Sequence, residues 1–223
     1  MTNPSSLNAV HHPPLTGRLP DSLVILLHGL GADGQDLISL APELAAAAPS
    51  AAFVAPDAPW PCDMAPFGYQ WFSLQDRDAG RVYAGVQTAF GILQGFLDTM
   101  ADRYGVPGNR TVLAGFSQGA MMALHAGLRQ QKGCAGVVAW SGALTGPEHL
   151  ATETVSRPPV LVIHGAEDEI VPPQVFEPAV RALEGAGVPV EGHMLPGLGH
   201  GIDPRGLDLA RNFLARTLPP LSL

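Results

Sequence analysis

A serine hydroxyl is a weak nucleophile at neutral pH, so a chain that uses one must set a base beside it and a third group to orient that base. The serine best placed for this is Ser117, in Gly115-Phe116-Ser117-Gln118-Gly119. The β-branched and aliphatic run Thr111-Val112-Leu113-Ala114 leads into it, and a small-residue, helix-forming segment follows. That order predicts strand, sharp turn and helix with the serine at the apex. So tight a turn forces the serine into a sparsely allowed backbone conformation, and bulk on its flanks would clash with strand and helix. Gly115 and Gly119 remove that bulk. The helix start then points amide N–H groups and a positive dipole end toward the hydroxyl. Gly-x-Ser-x-Gly alone is a weak signal in so glycine-rich a chain, and its weight comes from the readable strand and helix around it.

In an open parallel sheet, catalytic side chains gather at the carboxyl ends of the strands, which filters the eight histidines. His11, His12 and His149 fall outside the core elements, His125 lies inside the helix after Ser117, and His193 lies within a strand. His28 and His164 end strands, but each directly precedes glycine and reads equally well as a structural hydrogen-bonding residue. His200, in Pro196-Gly197-Leu198-Gly199-His200-Gly201, follows the last strand and is the best base. An orienting acid is expected in a strand-end loop between Ser117 and His200. Glu167, Asp168 and Glu169 all follow a strand there. Spacing does not choose among them, and two of the three read as ordinary surface charges.

Elements must position these groups. Leu23-Val24-Ile25-Leu26-Leu27 is apolar without alternation, as in a strand covered on both faces. Residues 35–48 have helical spacing at Leu37, Leu40, Leu44 and Ala48, and Ala51 to Ala55 form a short second strand stopped by Pro56. Residues 56–80 hold five of the 14 aromatics without periodicity, as either an apolar wall beside a site or a loop pinned by its own rings. A helix is predicted over 81–104, strands over 136–140, 160–163 and 189–195, a helix after Pro172-Pro173, and a final helix over 206–217. Strands alternating with helices imply a mainly parallel sheet with helices on both faces. Residues 1–16 read as a flexible N-terminal arm and 17–223 as a single domain.

Composition narrows the classes further. A net charge of -8 argues against nucleic acid or anionic membrane as the main partner. No apolar run approaches the roughly 18 residues that span a bilayer, so no stable membrane insertion is expected. The first residues lack a secretory pattern, and a cytoplasmic location is expected. Cys62 and Cys134 are too few for a disulfide framework, no ligand spacing points to a metal, and no cofactor is expected. The glycines after the first long strand, Gly29, Gly31 and Gly34, could cradle a dinucleotide phosphate. However, no acid ends a second strand about 20 residues later, because Asp57 arrives late and between prolines.

Five motifs occur in order: His28-Gly29-Leu30-Gly31, Gly115-Phe116-Ser117-Gln118-Gly119, Trp140-Ser141-Gly142-Ala143-Leu144, His164-Gly165-x-x-Asp168-x-x-Val171-Pro172, and Gly199-His200. Together, across roughly residues 17–218, they resemble the phospholipase/carboxylesterase family of α/β-hydrolases, which includes the acyl-protein thioesterases. The resemblance implies an α/β-hydrolase fold, Asp168 as the triad acid beside Ser117 and His200, and an oxyanion hole made by the backbone N–H groups of Leu30 and Gln118. His28 would buttress the Leu30 loop rather than react. Gly68-Tyr69-Gln70-Trp71-Phe72 resembles the family's loop beside the acyl groove, which gives Trp71, Phe72 and Leu30 as groove residues. Trp-Phe-Ser here is more like the family's bacterial esterases than its thioesterases. The gap of about 19 residues between Trp140 and Val160 leaves no room for a helical lid domain. The expected activity is hydrolysis of short- to medium-chain acyl esters, small molecules in solution, by a serine carboxylesterase. Alternatives are a thioesterase or lysophospholipase with the same residues and, remotely, a non-catalytic binding protein. A homodimer is left open.

Overall fold

The runs that are apolar without alternation become the inner strands of one seven-stranded sheet. In the computed structural model, which describes residues 7–221, the elements in chain order begin with β1 (Ala9–His12), β2 (Ser22–Leu27), α1 (Gly34–Ile38), α2 (Ala41–Ala45) and β3 (Ala51–Pro56). A small hairpin, β4 (Trp60–Pro61) and β5 (Tyr69–Gln70), precedes α3 (Ala79–Tyr104). Then come β6 (Thr111–Phe116), α4 (Gln118–Arg129), β7 (Gly136–Trp140), α5 (Leu150–Glu153), β8 (Val160–Gly165), α6 (Phe176–Gly185), β9 (Val190–Leu195) and α7 (Pro204–Thr217). The sheet order is β1-β3-β2-β6-β7-β8-β9, parallel except where β1 runs antiparallel along β3.

The two faces of β2 enter two different cores. Leu23, Ile25 and Leu27 pack with Val86, Met122 and Leu183 from α3, α4 and α6, whereas Val24 and Leu26 pack with Leu37, Leu44 and Phe213 from α1, α2 and α7. Helices on both faces leave no wet side, so the strand has no polar alternate positions. This is the mainly parallel sheet with helices on both faces that the strand-helix alternation implies, and it agrees with the α/β-hydrolase fold that the resemblance implies.

Three expectations change. Ala9–His12, read as part of a flexible arm, is the edge strand β1, paired with Phe53–Pro56 of β3. The rest of that arm before residue 7 lies outside the described residues. The helix expected over 35–48 is two short helices, because the Pro42 ring would collide with the Ile38 carbonyl in a continuous one. Residues 56–80 are not wholly irregular, since they contain the β4–β5 hairpin. Between β7 and β8 there is only a 3-10 turn, Pro147–His149, and the one-turn α5. Arg129 of α4 holds Glu153 of α5 at 2.7 Å, and the Tyr83 hydroxyl of α3 donates to the same carboxylate. That segment is fastened to the body, and among the described residues no helical lid covers the carboxyl end of the sheet.

Candidate active site

Ser117 sits between β6 and α4 with φ 54° and ψ -117°, in the positive-φ region that non-glycine residues rarely occupy. The strain is held from outside. Its N–H donates to the Trp140 carbonyl of β7 at 2.8 Å. A Cβ on Gly115 would stand 2.2 Å from the Gly119 carbonyl oxygen, and one on Gly119 would stand 1.9 Å from that of Leu27. Only hydrogen fits at either position, so the glycines permit the approach of strand and helix that lifts the serine.

The ends of β6, β8 and β9 bring Ser117, Asp168 and His200 together. His200 Nε2 lies 3.0 Å from Ser117 Oγ, and His200 Nδ1 lies 2.7 Å from Asp168 Oδ2. A carboxylate only accepts, so Nδ1 carries the proton and Nε2 is left to accept from the serine hydroxyl. The Phe116 ring lies 4.8 Å from the imidazole. Asp168 Oδ1 accepts from the Ile170 and Val171 N–H groups, both at 2.9 Å. Burial pushes the Asp168 pKa up, but the His200 hydrogen bond and the two amides outweigh it and hold the carboxyl below its usual range. Glu167 and Glu169 are exposed, so of the three candidate acids only Asp168 is turned inward. Gly165 matters here as well. A Cβ on it would lie 2.3 Å from the carbonyls of Leu198 and Gly199, so its bareness lets the His200 loop lie against β8.

The loop after β2 is built around His28. The Ala58 N–H donates to His28 Nε2 at 2.9 Å, so Nδ1 holds the proton and donates to the Gly29 carbonyl at 2.7 Å. Full burial lowers the His28 pKa and keeps the ring uncharged. Gly31 N–H donates to Tyr69 O at 2.9 Å, Tyr69 N–H to Ala32 O at 2.8 Å, and Gly34 N–H to Asp57 Oδ1 at 2.9 Å. Among the described residues, the N–H groups of Leu30 and Gln118 have no acceptor. The His28 side chain braces the loop and takes no part in the contact between His200 and Ser117.

Trp71 and Phe72 are not groove residues. They are 0% and 2% exposed and lie in the core with Val86 and Leu93. The reason is Gln118, whose side chain grips the backbone of this segment. Gln118 Oε1 accepts from Trp71 N–H and Nε2 donates to Phe72 O, each at 2.8 Å, while Trp71 Nε1 donates to His28 O at 3.0 Å. Sequence reasoning assigned Gln118 a backbone role alone. The signal it missed is a long amide side chain placed just after the nucleophile, where a buried polar group needs partners on both ends.

A cavity of about 610 Å³ opens on Ser117 and His200, and Leu30, Met121, Val171 and Val175 are among its walls. Leu74 and Arg77 line it where Trp71 and Phe72 were expected, and Asp36 joins them. A larger hollow of about 730 Å³ near Gly105 and Lys132 lies toward the amino end of β6, away from Ser117. Among the described residues, no group of three or more His, Cys, Asp or Glu is arranged to hold a metal ion. No helix there is long and apolar enough to cross a membrane.

Comparison with known proteins gives concordant matches. A family model described as Phospholipase/Carboxylesterase matches residues 16–218. Acyl-protein thioesterase 1 of Gibberella zeae is 36% identical over 121 residues, 52% of this chain and 52% of its own length. Esterase YpfH of Escherichia coli is 35% identical over 161 residues, 69% of this chain and 65% of its own. The chain therefore spans about half to two thirds of the length of these two relatives. Among solved structures, esterase PE8 is 42% identical with a TM-score of 0.90, covering 95% of this chain and 99% of that one.

Proposed function

The chain belongs to the phospholipase/carboxylesterase family, and from that premise we propose that it is a serine carboxylesterase acting on short- to medium-chain acyl esters in solution. One observation carries the reading: Ser117 Oγ, His200 and Asp168 stand in an unbroken hydrogen-bonded relay of 3.0 and 2.7 Å. His200 Nε2 takes the hydroxyl proton as Ser117 Oγ adds to the ester carbonyl. Asp168, ionised, holds Nδ1–H and balances the imidazolium. The carbonyl oxygen, now anionic, receives the N–H groups of Leu30 and Gln118, each donor contributing about 3–4 kcal/mol. The tetrahedral adduct collapses, the C–O bond to the alcohol breaks, and Nε2 returns the proton to the leaving oxygen. Water, deprotonated by the same nitrogen, then adds to the acyl-enzyme and releases the carboxylic acid with Ser117 restored.

A fluorophosphonate probe, which phosphonylates an activated serine, should label the folded protein and fail to label Ser117→Ala. The same variant should lose at least about 10⁴-fold in p-nitrophenyl butyrate hydrolysis. A folded wild-type chain that takes no label sinks the proposal. A second reading, thioester hydrolysis at the same serine, is favoured by the name of the Gibberella zeae relative. Rates on matched oxygen esters and thioesters decide between the two.

A further inference from the structure

Beside the cavity at Ser117 lies a second hollow of about 320 Å³, and the two share Ala143 and Val175 in their walls. Beyond those two residues the second hollow is walled by Leu144, Pro147, Pro178 and Ala179, with Gln174 as its one polar side chain. It lies between the segment that follows β7 and the first turn of α6. A wall without charge and almost without hydrogen-bonding groups offers an ion nothing and suits hydrocarbon. The first cavity has a different character elsewhere, where Asp36 and Arg77 line it.

Resting on the carboxylesterase reading, we propose that the second hollow is the far end of the acyl site. The last methylenes of a medium-length acyl chain held at Ser117 pass between Ala143 and Val175 and lie against Leu144 and Pro178. The direction follows from the chemistry. The leaving oxygen must face His200 Nε2, which returns its proton, so the alcohol occupies the imidazole side. The acyl group then runs along α4, where Met121, one turn from Ser117, lines the first cavity. Gly142 is pressed against that same turn, since a Cβ on it would be 2.5 Å from Ala120 Cβ and 2.9 Å from Ser117 O. This contact carries Ala143, the next residue, onto the shared wall. Each methylene moved from water to such a wall is expected to raise kcat/KM about fourfold.

The test is kcat/KM on p-nitrophenyl esters from acetate to decanoate for wild type, Leu144→Glu and Gln174→Trp. The first variant puts a charge in the second hollow and the second puts bulk there, and neither residue lines the cavity at Ser117. The decanoate-to-butyrate ratio should fall at least tenfold in both. Taking the ratio within each variant cancels any loss of folded protein, and fluorophosphonate labelling of Ser117 counts the intact sites. An unchanged ratio overturns the proposal. So does a loss seen only with butyrate esters of long alcohols, which would put the alcohol rather than the acyl chain in the hollow. Full hydrolysis by Ser117→Ala, in contrast, would overturn the underlying esterase reading and not the assignment of the hollow.

Discussion

Asp168 shows how three neighbouring carboxyl groups acquire different fates. All three follow β8, but the turn aims only the middle one inward, where His200 Nδ1 and two amides meet it. Periodicity says nothing about which side of a non-repeating turn faces the protein, so the sequence narrowed the acid to a trio, and the resemblance to a known family chose within it. The depressed pKa has a stability consequence. The carboxylate's favourable contacts are fully present above the ordinary aspartate pKa and are lost as pH falls through the lower value of the folded state. Asp168→Asn keeps the shape but presents a neutral amide that can turn its NH₂ toward Nδ1 and favour the wrong imidazole tautomer. Ester hydrolysis should fall about 10⁴-fold, whereas Glu167→Gln and Glu169→Gln should stay within about twofold of wild type, all measured as kcat/KM.

At the scale of elements, the strand, sharp turn and helix around Ser117 were the most legible part of the chain, because Gly115 and Gly119 mark an approach that no other residue allows. Gly119→Ala should yield no soluble folded protein, since its Cβ would drive into the Leu27 carbonyl and separate β2 from α4. Gly91→Ala, in α3 with open space where its Cβ would stand, should instead raise stability by about 0.5–1 kcal/mol. Circular dichroism and urea unfolding of the pair check both outcomes. The long helix α3 and the parallel strands were equally readable from their apolar spacing. Two elements were not. The Trp71-Phe72 segment has no period, and its burial is decided by Gln118, 46 residues or more away in sequence. The strand β1 carries no alternation strong enough to announce it, and becomes a strand because the edge of β3 offers unpaired backbone groups.

At the scale of the whole molecule, two buried histidines tie stability to acidity. His125, on α4 between the rings of Tyr83 and Phe90, is held at a pKa of about 3, mainly by burial and then by the nearby Arg129 cation. His28 is lowered by burial too. In each case the unfolded chain takes up a proton near the ordinary histidine pKa and the folded chain does so only at lower pH. Stability is therefore intact above about pH 6.5 and declines as pH falls toward the folded values, by up to about 1.4 kcal/mol per pH unit for each group. His125→Leu should flatten this decline between about pH 6 and 4, leaving the His28 share, as read by urea titrations at several pH values. A slope equal to that of wild type would count against the assignment.

The turn that presents Asp168 is held from two sides, by the Ile170 and Val171 amides on Oδ1 and by the Glu167 N–H, which donates to the Leu198 carbonyl of the stretch that carries His200 at 2.9 Å. The stretch carrying His200 has glycine at 197, 199 and 201 and rests on β8 at Gly165. Were that stretch to lift, the hydrogen bond from Glu167 to Leu198 would break with it, so acid and base are seated against one shared piece of backbone.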